Sequence, residues 1–263
     1  MIQAPTVSQK QAAELDNEGF TILRAFLSPA EVGAFRQRIA ELFDEEGDAA
    51  GSDFKIEPEA KRLANLVNKG AVFQRAVTDS FVLALVRQVL GPEIKLSSLN
   101  ARSATATGGS PQPLHADMGA VPDERGYWVC NVVWMLDDFT EWNGALRAIP
   151  GIHRSGHLPQ RSLDNPYAAH PDESLVTGKS GDVVVMNAHL WHAGTENHAA
   201  ADRLALHSFY CRRDKPQQQY QKKLLSLAVQ AQLSPALRDL LALDDPLNDE
   251  LSSLDVVRSG FMK

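Results

Sequence analysis

The sequence predicts a single, mainly β domain with flanking helices, an antiparallel sandwich or barrel held between helical segments. Three observations lead there. After Pro92 the chain breaks into short apolar runs separated by turn residues, at intervals that suit such a sandwich or barrel. Before it, Ser8 and Ser28 each have a glutamine or glutamate three residues on, the reciprocal arrangement of a helix capping box. With 263 residues, 44% hydrophobic and 22% charged, the chain has an ordinary globular composition and can bury a sizeable core. A helical part is expected to about residue 92, a β-core from about 93 to 214, and helices from about 215 to 263. No internal repeat or low-complexity linker divides them.

In chain order, Ser8 and Gln11 start a short helix that runs towards Asn17 and stops at Gly19, and Phe20-Thr21-Ile22-Leu23 follows as a strand. Ser28-Pro29-Ala30-Glu31 then opens a longer helix, with Val32, Phe35, Ile39 and Leu42 at helical spacing. Asp44 to Asp53 is acidic, rich in Gly and Ala and without apolar period, which reads as a mobile surface loop or equally as part of a lid. A further helix is expected from about Asp79 to Leu90, ended by Gly91-Pro92. The strands are Ile94 to Ala101, Trp128 to Leu136, Ala145 to Ile149, Gly181 to Met186 and Arg203 to Tyr210, with Asn143-Gly144 as a hairpin signal between the second and third. From about Gln218 the tail returns to helix, and Ser234-Pro235 opens a last one that buries Leu237, Leu240 and Leu241.

The same composition narrows the functional classes. A net charge of −7 offers no basic footprint for nucleic acid or an anionic membrane, so a small-molecule partner is expected. Cys130 and Cys211 are too few for a disulfide framework and lack metal-binding spacing, which points to a reducing compartment. Met1-Ile2-Gln3-Ala4-Pro5 has no basic region followed by an apolar stretch, and no apolar run approaches the ~20 residues of a membrane span. A cytoplasmic location follows as the expectation.

Chemistry enters at Pro113-Leu114-His115-Ala116-Asp117. On a strand, residues two apart face the same side, so His115 and Asp117 can offer one nitrogen and one oxygen to a metal ion. Alone, an H-x-D triplet is weak, since it also describes a solvated turn. His192, after the strand Val183 to Met186, can bring a second imidazole from an opposite strand. That completes the two-histidine, one-carboxylate set of non-haem Fe(II) sites and leaves positions open for substrate and oxygen. His189, three residues earlier, is a rival ligand. Arg203 stands eleven residues after His192, at the start of a β-like run. A guanidinium on an inward strand position beside a metal suits bidentate capture of the far carboxyl group of a dicarboxylate.

Four stretches, in this order, resemble the phytanoyl-CoA dioxygenase family of Fe(II)- and 2-oxoglutarate-dependent oxygenases. They are Gln112-Pro113-Leu114-His115-Ala116-Asp117; Trp134-Met135-Leu136-Asp137-Asp138-Phe139-Thr140 followed by Asn143-Gly144-Ala145-Leu146; Ile149-Pro150-Gly151-Ile152-His153; and His192-Ala193-Gly194-Thr195-Glu196-Asn197 with Arg203. With the helix-strand-helix opening from Ser8 to Leu42 they cover most of the chain. The resemblance implies a double-stranded β-helix, a jelly-roll or cupin-like barrel, in which His115, Asp117 and His192 are the catalytic residues and hold Fe(II). It also implies that Arg203 binds the distal carboxylate of 2-oxoglutarate, that Trp134 lines the cosubstrate pocket and that O2 is the third reactant; by strand position alone Trp134 suits plain core equally. His192 is favoured over His189 by its spacing to Asn197 and Arg203.

Two departures stand out. The family often has Gly-Ser-His where this chain has Gly151-Ile152-His153, and often a serine two residues after the distal histidine, where this chain has Gly194. The second removes a hydroxyl that can contact 2-oxoglutarate, and Thr195 is the neighbour that could replace it. Gln112 either donates to 2-oxoglutarate or fixes the loop before His115. His207 shares the face of Arg203 by strand alternation, which suits a pocket position and equally a satisfied core histidine. His153 is expected to buttress the turn after Pro150-Gly151, and Met118 to Tyr127 to form either a loop near the mouth or a plain surface connection. Related halogenases replace the carboxylate ligand with a small residue, so Asp117 favours hydroxylation of a small organic molecule, with release of succinate and CO2. The acidic chain without a Lys/Arg cluster gives little support to an acyl-CoA, and a small acid or secondary metabolite is the favoured substrate. The alternatives are a non-catalytic metal-binding jelly roll, and a cupin-type metal enzyme that does not use 2-oxoglutarate.

Overall fold

The computed structural model describes residues 6–54, 60–106 and 111–253, so the reading of Met1 to Pro5 lies outside the described residues. Helix α1 (Gln9–Asn17) and strand β1 (Phe20–Leu23) lead to α2 (Pro29–Glu46), and both helices begin on complete capping boxes, Ser8 with Gln11 and Ser28 with Glu31. The acidic stretch after Asp44 is shorter as a loop than expected, because α2 runs on to Glu46 and a 3-10 turn, Gly47–Ala49, follows. Strand β2 (Ala60–Leu63) and helix α3 (Ala71–Val77) precede α4 (Ser80–Leu90), whose N-cap Asp79 accepts from the backbone N–H of Phe81 and Val82.

The β-core comprises β3 (Ile94–Ala104), β4 (Val129–Met135), β5 (Leu146–Ala148), β6 (Ser174–Val176), β7 (Val183–Asn187), β8 (His192–Gly194) and β9 (Arg203–Arg212), with a one-turn helix α5 (Pro159–Ser162) between β5 and β6. All pairings are antiparallel, in a six-stranded sheet ordered β1-β7-β4-β9-β3-β2 and a three-stranded sheet ordered β6-β5-β8. This is the jelly-roll architecture, with the sheets facing each other as an open sandwich.

Asn143-Gly144 does not make the expected hairpin, since β4 lies in the large sheet and β5 in the small one. Its turn chemistry is used for the crossing instead. Asn143 Nδ2 donates to the Asp138 carbonyl at 2.7 Å, its Oδ1 accepts from the Thr140 N–H at 2.8 Å, and Gly144 takes a φ of +80°.

Both faces of the large sheet are covered, which is why β4 reads as a continuous apolar run rather than an alternating one. Val132, Trp134, Leu206 and Tyr210 face a core shared with α1, α2, α3 and α4, including Leu15, Phe35, Ile39, Phe73 and Leu85. Val133, Met135, Val184 and Ala205 face the other way, onto Ala148 and Val176 of the small sheet. After β9 come α6 (Gln221–Leu224), α7 (Leu227–Gln232) and α8 (Pro235–Leu240), the last burying Leu237 and Leu240 as expected from Ser234-Pro235. It is not the last helix, because Pro246 opens α9 (Pro246–Ser253). Among the described residues no helix is long and apolar enough to cross a membrane.

Candidate metal centre

The structure brings His115, Asp117 and His192 together, with one ligating atom from each lying within 4.8 Å of the others. The means is main-chain bonding at the edge of the small sheet. His115 and His192 exchange both backbone hydrogen bonds at 3.0 Å, a single antiparallel bridge beside β8, and their ring centroids stand 4.4 Å apart. Asp117 is not on a strand with His115. Its N–H donates to the Ala188 carbonyl at 2.8 Å and it starts a 3-10 turn, with Met118 at a left-handed φ of 61° turning the chain away.

Each imidazole is held in one tautomer. Nδ1 of His115 lies 2.9 Å from the Pro113 carbonyl and Nδ1 of His192 lies 2.8 Å from the Leu190 carbonyl. A carbonyl only accepts, so both Nδ1 atoms carry the proton and both Nε2 atoms keep a lone pair. Those Nε2 atoms each stand 3.6 Å from an Asp117 oxygen. Asn131 Nδ2 donates to Asp117 Oδ2 at 3.1 Å and fixes the carboxylate's orientation. Burial, and then the neighbouring His192, push His115 down to about 4 against the pull of Asp117, so it is neutral and ready to ligate at pH 7.

Arg203 opens β9 and is 5% exposed. Its Nη2 donates to the Gly144 carbonyl at 2.8 Å and its Cζ lies 4.0 Å from the Phe139 ring centroid, while buried Nε has no hydrogen-bond partner. Burial, and then the like charge of Arg102, lower Arg203 to about 9, and Asp137 opposes them. It remains a cation at pH 7, with an unmet donor in a buried setting that an oxyanion would satisfy. The donor set thus fits a ferrous ion, and the guanidinium fits a dicarboxylate.

The other expected contacts divide. Gln112 Oε1 accepts from the Gly194 N–H at 3.1 Å, a contact that ties the loop before His115 to β8. The Thr195 hydroxyl donates to the Ala145 carbonyl at 2.9 Å. Trp134, expected to line the cosubstrate pocket, packs on the opposite face of the large sheet, against Phe26 and the helices, and its indole N–H donates to Ser208 Oγ at 2.8 Å. Strand alternation separates it from Arg203 and His207. Trp134→Phe is therefore expected to cost about 1 kcal/mol of stability through the lost buried hydrogen bond and to leave 2-oxoglutarate affinity unchanged. Denaturant melts and calorimetric titration check this; a tenfold loss of affinity would return the indole to the pocket wall.

Sequence reading missed Asn131 and Arg102. The signal was there, a lone amide in the run Val129 to Met135 and a lone guanidinium in Ile94 to Ala104, since polar groups in strands buried on both faces need partners. His189 is no ligand; its Nδ1 donates to Asn187 Oδ1 at 2.9 Å and its ring lies between Tyr127 and Trp128. His153 Nε2 donates to the Asp16 carbonyl at 3.1 Å and joins the Gly151 turn to α1.

Burial pushes His189 down to about 3 and also lowers His153 and His207. With His115, these groups bind fewer protons folded than unfolded below their ordinary value near 6.5. Stability must fall as pH drops through that value. Metal-free protein is expected to lose thermal midpoint steadily from about pH 6.5 to 5, above the range where most carboxylates titrate. A flat midpoint across that window in scanning calorimetry would contradict buried neutral imidazoles.

Comparison with known proteins gives a family for the sequence and relatives for the fold. The family model for phytanoyl-CoA dioxygenase matches residues 15–205. The dioxygenase af480 of Aspergillus fumigatus is 27% identical over 258 residues, covering 92% of this chain and 80% of its own. HygX from Streptomyces hygroscopicus, with nickel and 2-oxoglutarate bound, shares the fold at a TM-score of 0.66 and 21% identity over 81% of this chain and 90% of that one. EctD from S. alaskensis, with 2-oxoglutarate and 5-hydroxyectoine, does so at 0.67 and 23% over 81% and 78%.

Proposed function

The chain belongs to the phytanoyl-CoA dioxygenase family, and from that premise we propose that His115, Asp117 and His192 hold the ferrous ion and that Arg203 binds the distal carboxylate of 2-oxoglutarate. The protein is an Fe(II)- and 2-oxoglutarate-dependent dioxygenase. The observation that carries the residue assignment is the convergence of two lone-pair Nε2 atoms on one carboxylate. When bound, the iron supplies the activation of O2 that couples oxidative decarboxylation of 2-oxoglutarate, to succinate and CO2, with hydroxylation of substrate.

The chain's own residues set geometry. The Pro113 and Leu190 carbonyls hold the two tautomers, and Asn131 holds the Asp117 carboxylate. Phe139 and the Gly144 carbonyl fix the plane of the Arg203 guanidinium, leaving Nε for a cosubstrate oxygen. Gln112 pins β8 against the segment that carries His115. We read residues 1–263 as a single oxygenase domain acting on a small organic molecule, as EctD with its bound 5-hydroxyectoine does. Two free, buried cysteines support a cytoplasmic location.

Anaerobic titration with Fe(II) and then 2-oxoglutarate tests the assignment, followed by assay of succinate after oxygen is admitted. Binding of both with slow succinate release supports it. Metal held with no succinate from any substrate would point to a binding protein, and metal-dependent oxidation that spares 2-oxoglutarate to a cupin-type enzyme.

A further inference from the structure

The residue assignment leaves His207 without a task. It stands on β9 in step with Arg203 and Ala205, so its side chain is on the pocket side of the large sheet. Its neighbours Leu206 and Ser208 face the helices and are both 0% exposed, yet His207 itself is partly exposed. That exposure comes from the space between the two sheets, where His115 and Asp117 are partly exposed too.

Register sets its depth. The inner face of β9 runs Arg203, Ala205, His207, Phe209, and opposite Phe209 on β4 stands Asn131, whose amide holds the Asp117 carboxylate. The metal triad is therefore level with the His207 to Phe209 end of the strand. Arg203 lies four residues back, about 13 Å at the rise of a strand. A cosubstrate reaching from Arg203 to the metal takes up the stretch beside Ala205, and His207 is left for the third component of the reaction.

The protein does not satisfy this imidazole. Its partner in register on β4 is Val133, and on β3 it is Asn100, whose Oδ1 accepts from Gln219 Nε2 at 3.0 Å and whose Nδ2 donates to Ser98 Oγ at 3.3 Å. Among the described residues none hydrogen-bonds to either ring nitrogen of His207. His115, His192 and His189 each have Nδ1 fixed by a carbonyl oxygen, whereas the tautomer of His207 is free to follow a ligand. Burial, and then the like charges of Arg102, Arg62 and Arg203, keep the ring neutral. Arg102 and Arg62 already have partners and Arg203 is given to the cosubstrate, so no guanidinium of this face is left for an acid. Their charges equally oppose an amine. Phe209, Met118, Ala120 and Ala188 make the adjoining surface apolar.

We propose that His207 binds the primary substrate through an uncharged oxygen function, a hydroxyl or a carbonyl, and so selects neutral molecules over acids and amines. The inference rests on the cosubstrate assignment above, which takes Arg203 out of substrate recognition. A neutral imidazole can donate to a carbonyl or accept from a hydroxyl, whereas a charge placed against it lacks a counter-ion and is costly to desolvate.

The test uses the full chain loaded with 2-oxoglutarate and with Zn(II), which is redox-inert and diamagnetic. Its probes share one ring: cyclohexanol, cyclohexanone, methylcyclohexane, cyclohexylamine and cyclohexanecarboxylate. Binding is read by ligand-observed NMR. Wild-type protein is expected to bind the alcohol or the ketone at least about tenfold more tightly than the amine and the acid. His207→Leu is expected to lower the affinity ratio of that probe to methylcyclohexane by about three- to tenfold, the worth of one neutral hydrogen bond. His207→Phe reads the same ratio should the leucine variant not fold, and His207→Gln, which keeps a donor and an acceptor, is expected to retain part of it. Nitrogen NMR of the wild-type ring is expected to move towards one tautomer as the probe binds, a response that a packing role would not give. Acid or amine bound as tightly as alcohol and ketone, a ratio unmoved by the apolar variants, or neither alcohol nor ketone bound would overturn the proposal. So would an approximately tenfold loss of 2-oxoglutarate affinity in His207→Leu, which would give the ring to the cosubstrate; a change under about threefold is expected. Failure of wild-type protein to bind 2-oxoglutarate would strike the cosubstrate assignment instead, and the probe ratios of the zinc-loaded chain would still report on His207.

Discussion

Asp117→Ala is expected to abolish turnover and to weaken Fe(II) binding by at least about 100-fold, beyond the 10- to 100-fold typical of losing a supporting group behind a ligand. The substitution removes the one carboxylate among the three proposed ligands and leaves two imidazoles. It also strands the Asn131 amide, which donates to Asp117 Oδ2 at 3.1 Å. The fold should survive, because the backbone N–H of residue 117 still reaches the Ala188 carbonyl and the His115 to His192 bridge does not involve the carboxylate. Anaerobic titration against a colorimetric chelator reads the affinity. Iron retained within tenfold of wild type would show that Asp117 is not a ligand.

Arg203→Met separates binding from stability. Loss of the guanidinium is expected to raise the Kd for 2-oxoglutarate by about 100-fold, the scale of a charge-assisted bidentate pair in a buried setting. The folded protein should be little affected or even stabilised, since replacing a buried charge by an apolar chain of similar length is often neutral or favourable. Burial already opposes that charge, lowering Arg203 to about 9, and a thioether can pack on the Phe139 ring. Calorimetric titration and a thermal melt on the same sample check both halves. A Kd within threefold of wild type would remove Arg203 from the cosubstrate site.

Local chemistry was legible from the sequence and sheet partnership was not. The capping boxes at Ser8 and Ser28 are complete within four residues, so they read correctly without knowledge of the rest of the chain. Asn143-Gly144 is an equally local signal, and it does make a tight turn, but which sheet receives the next strand depends on residues such as Asn197, which bridges to Asn143. β2 was missed because its four residues include Lys61 and Arg62 and show no apolar alternation, and β6 and β8 because three residues make no pattern.

The site divides in the same way. That His115, Asp117 and His192 could meet was legible because metal ligation restricts residue type and spacing, and the structure brings one candidate ligand atom from each within 4.8 Å of the others. Strand periodicity says which residues share a face, but not which face looks inward when helices cover one side and a second sheet the other. That is why the sequence left Trp134 between the pocket wall, which the resemblance implied, and the plain core where it lies. Asn131, the one strongly polar residue of the strand, marks the inner side.

The bridge between His115 and His192 hangs the two imidazoles on the small sheet, whereas Arg203, Arg102 and His207 project from the large one. The two imidazoles and the proposed cosubstrate arginine therefore ride on separate slabs of the protein, joined through the Asp117 carboxylate that Asn131 of β4 holds. Changes along β2 and β3 can thus be made without touching the bridge that sets the two imidazoles. Such a plan lets one reaction be offered to many molecules in turn.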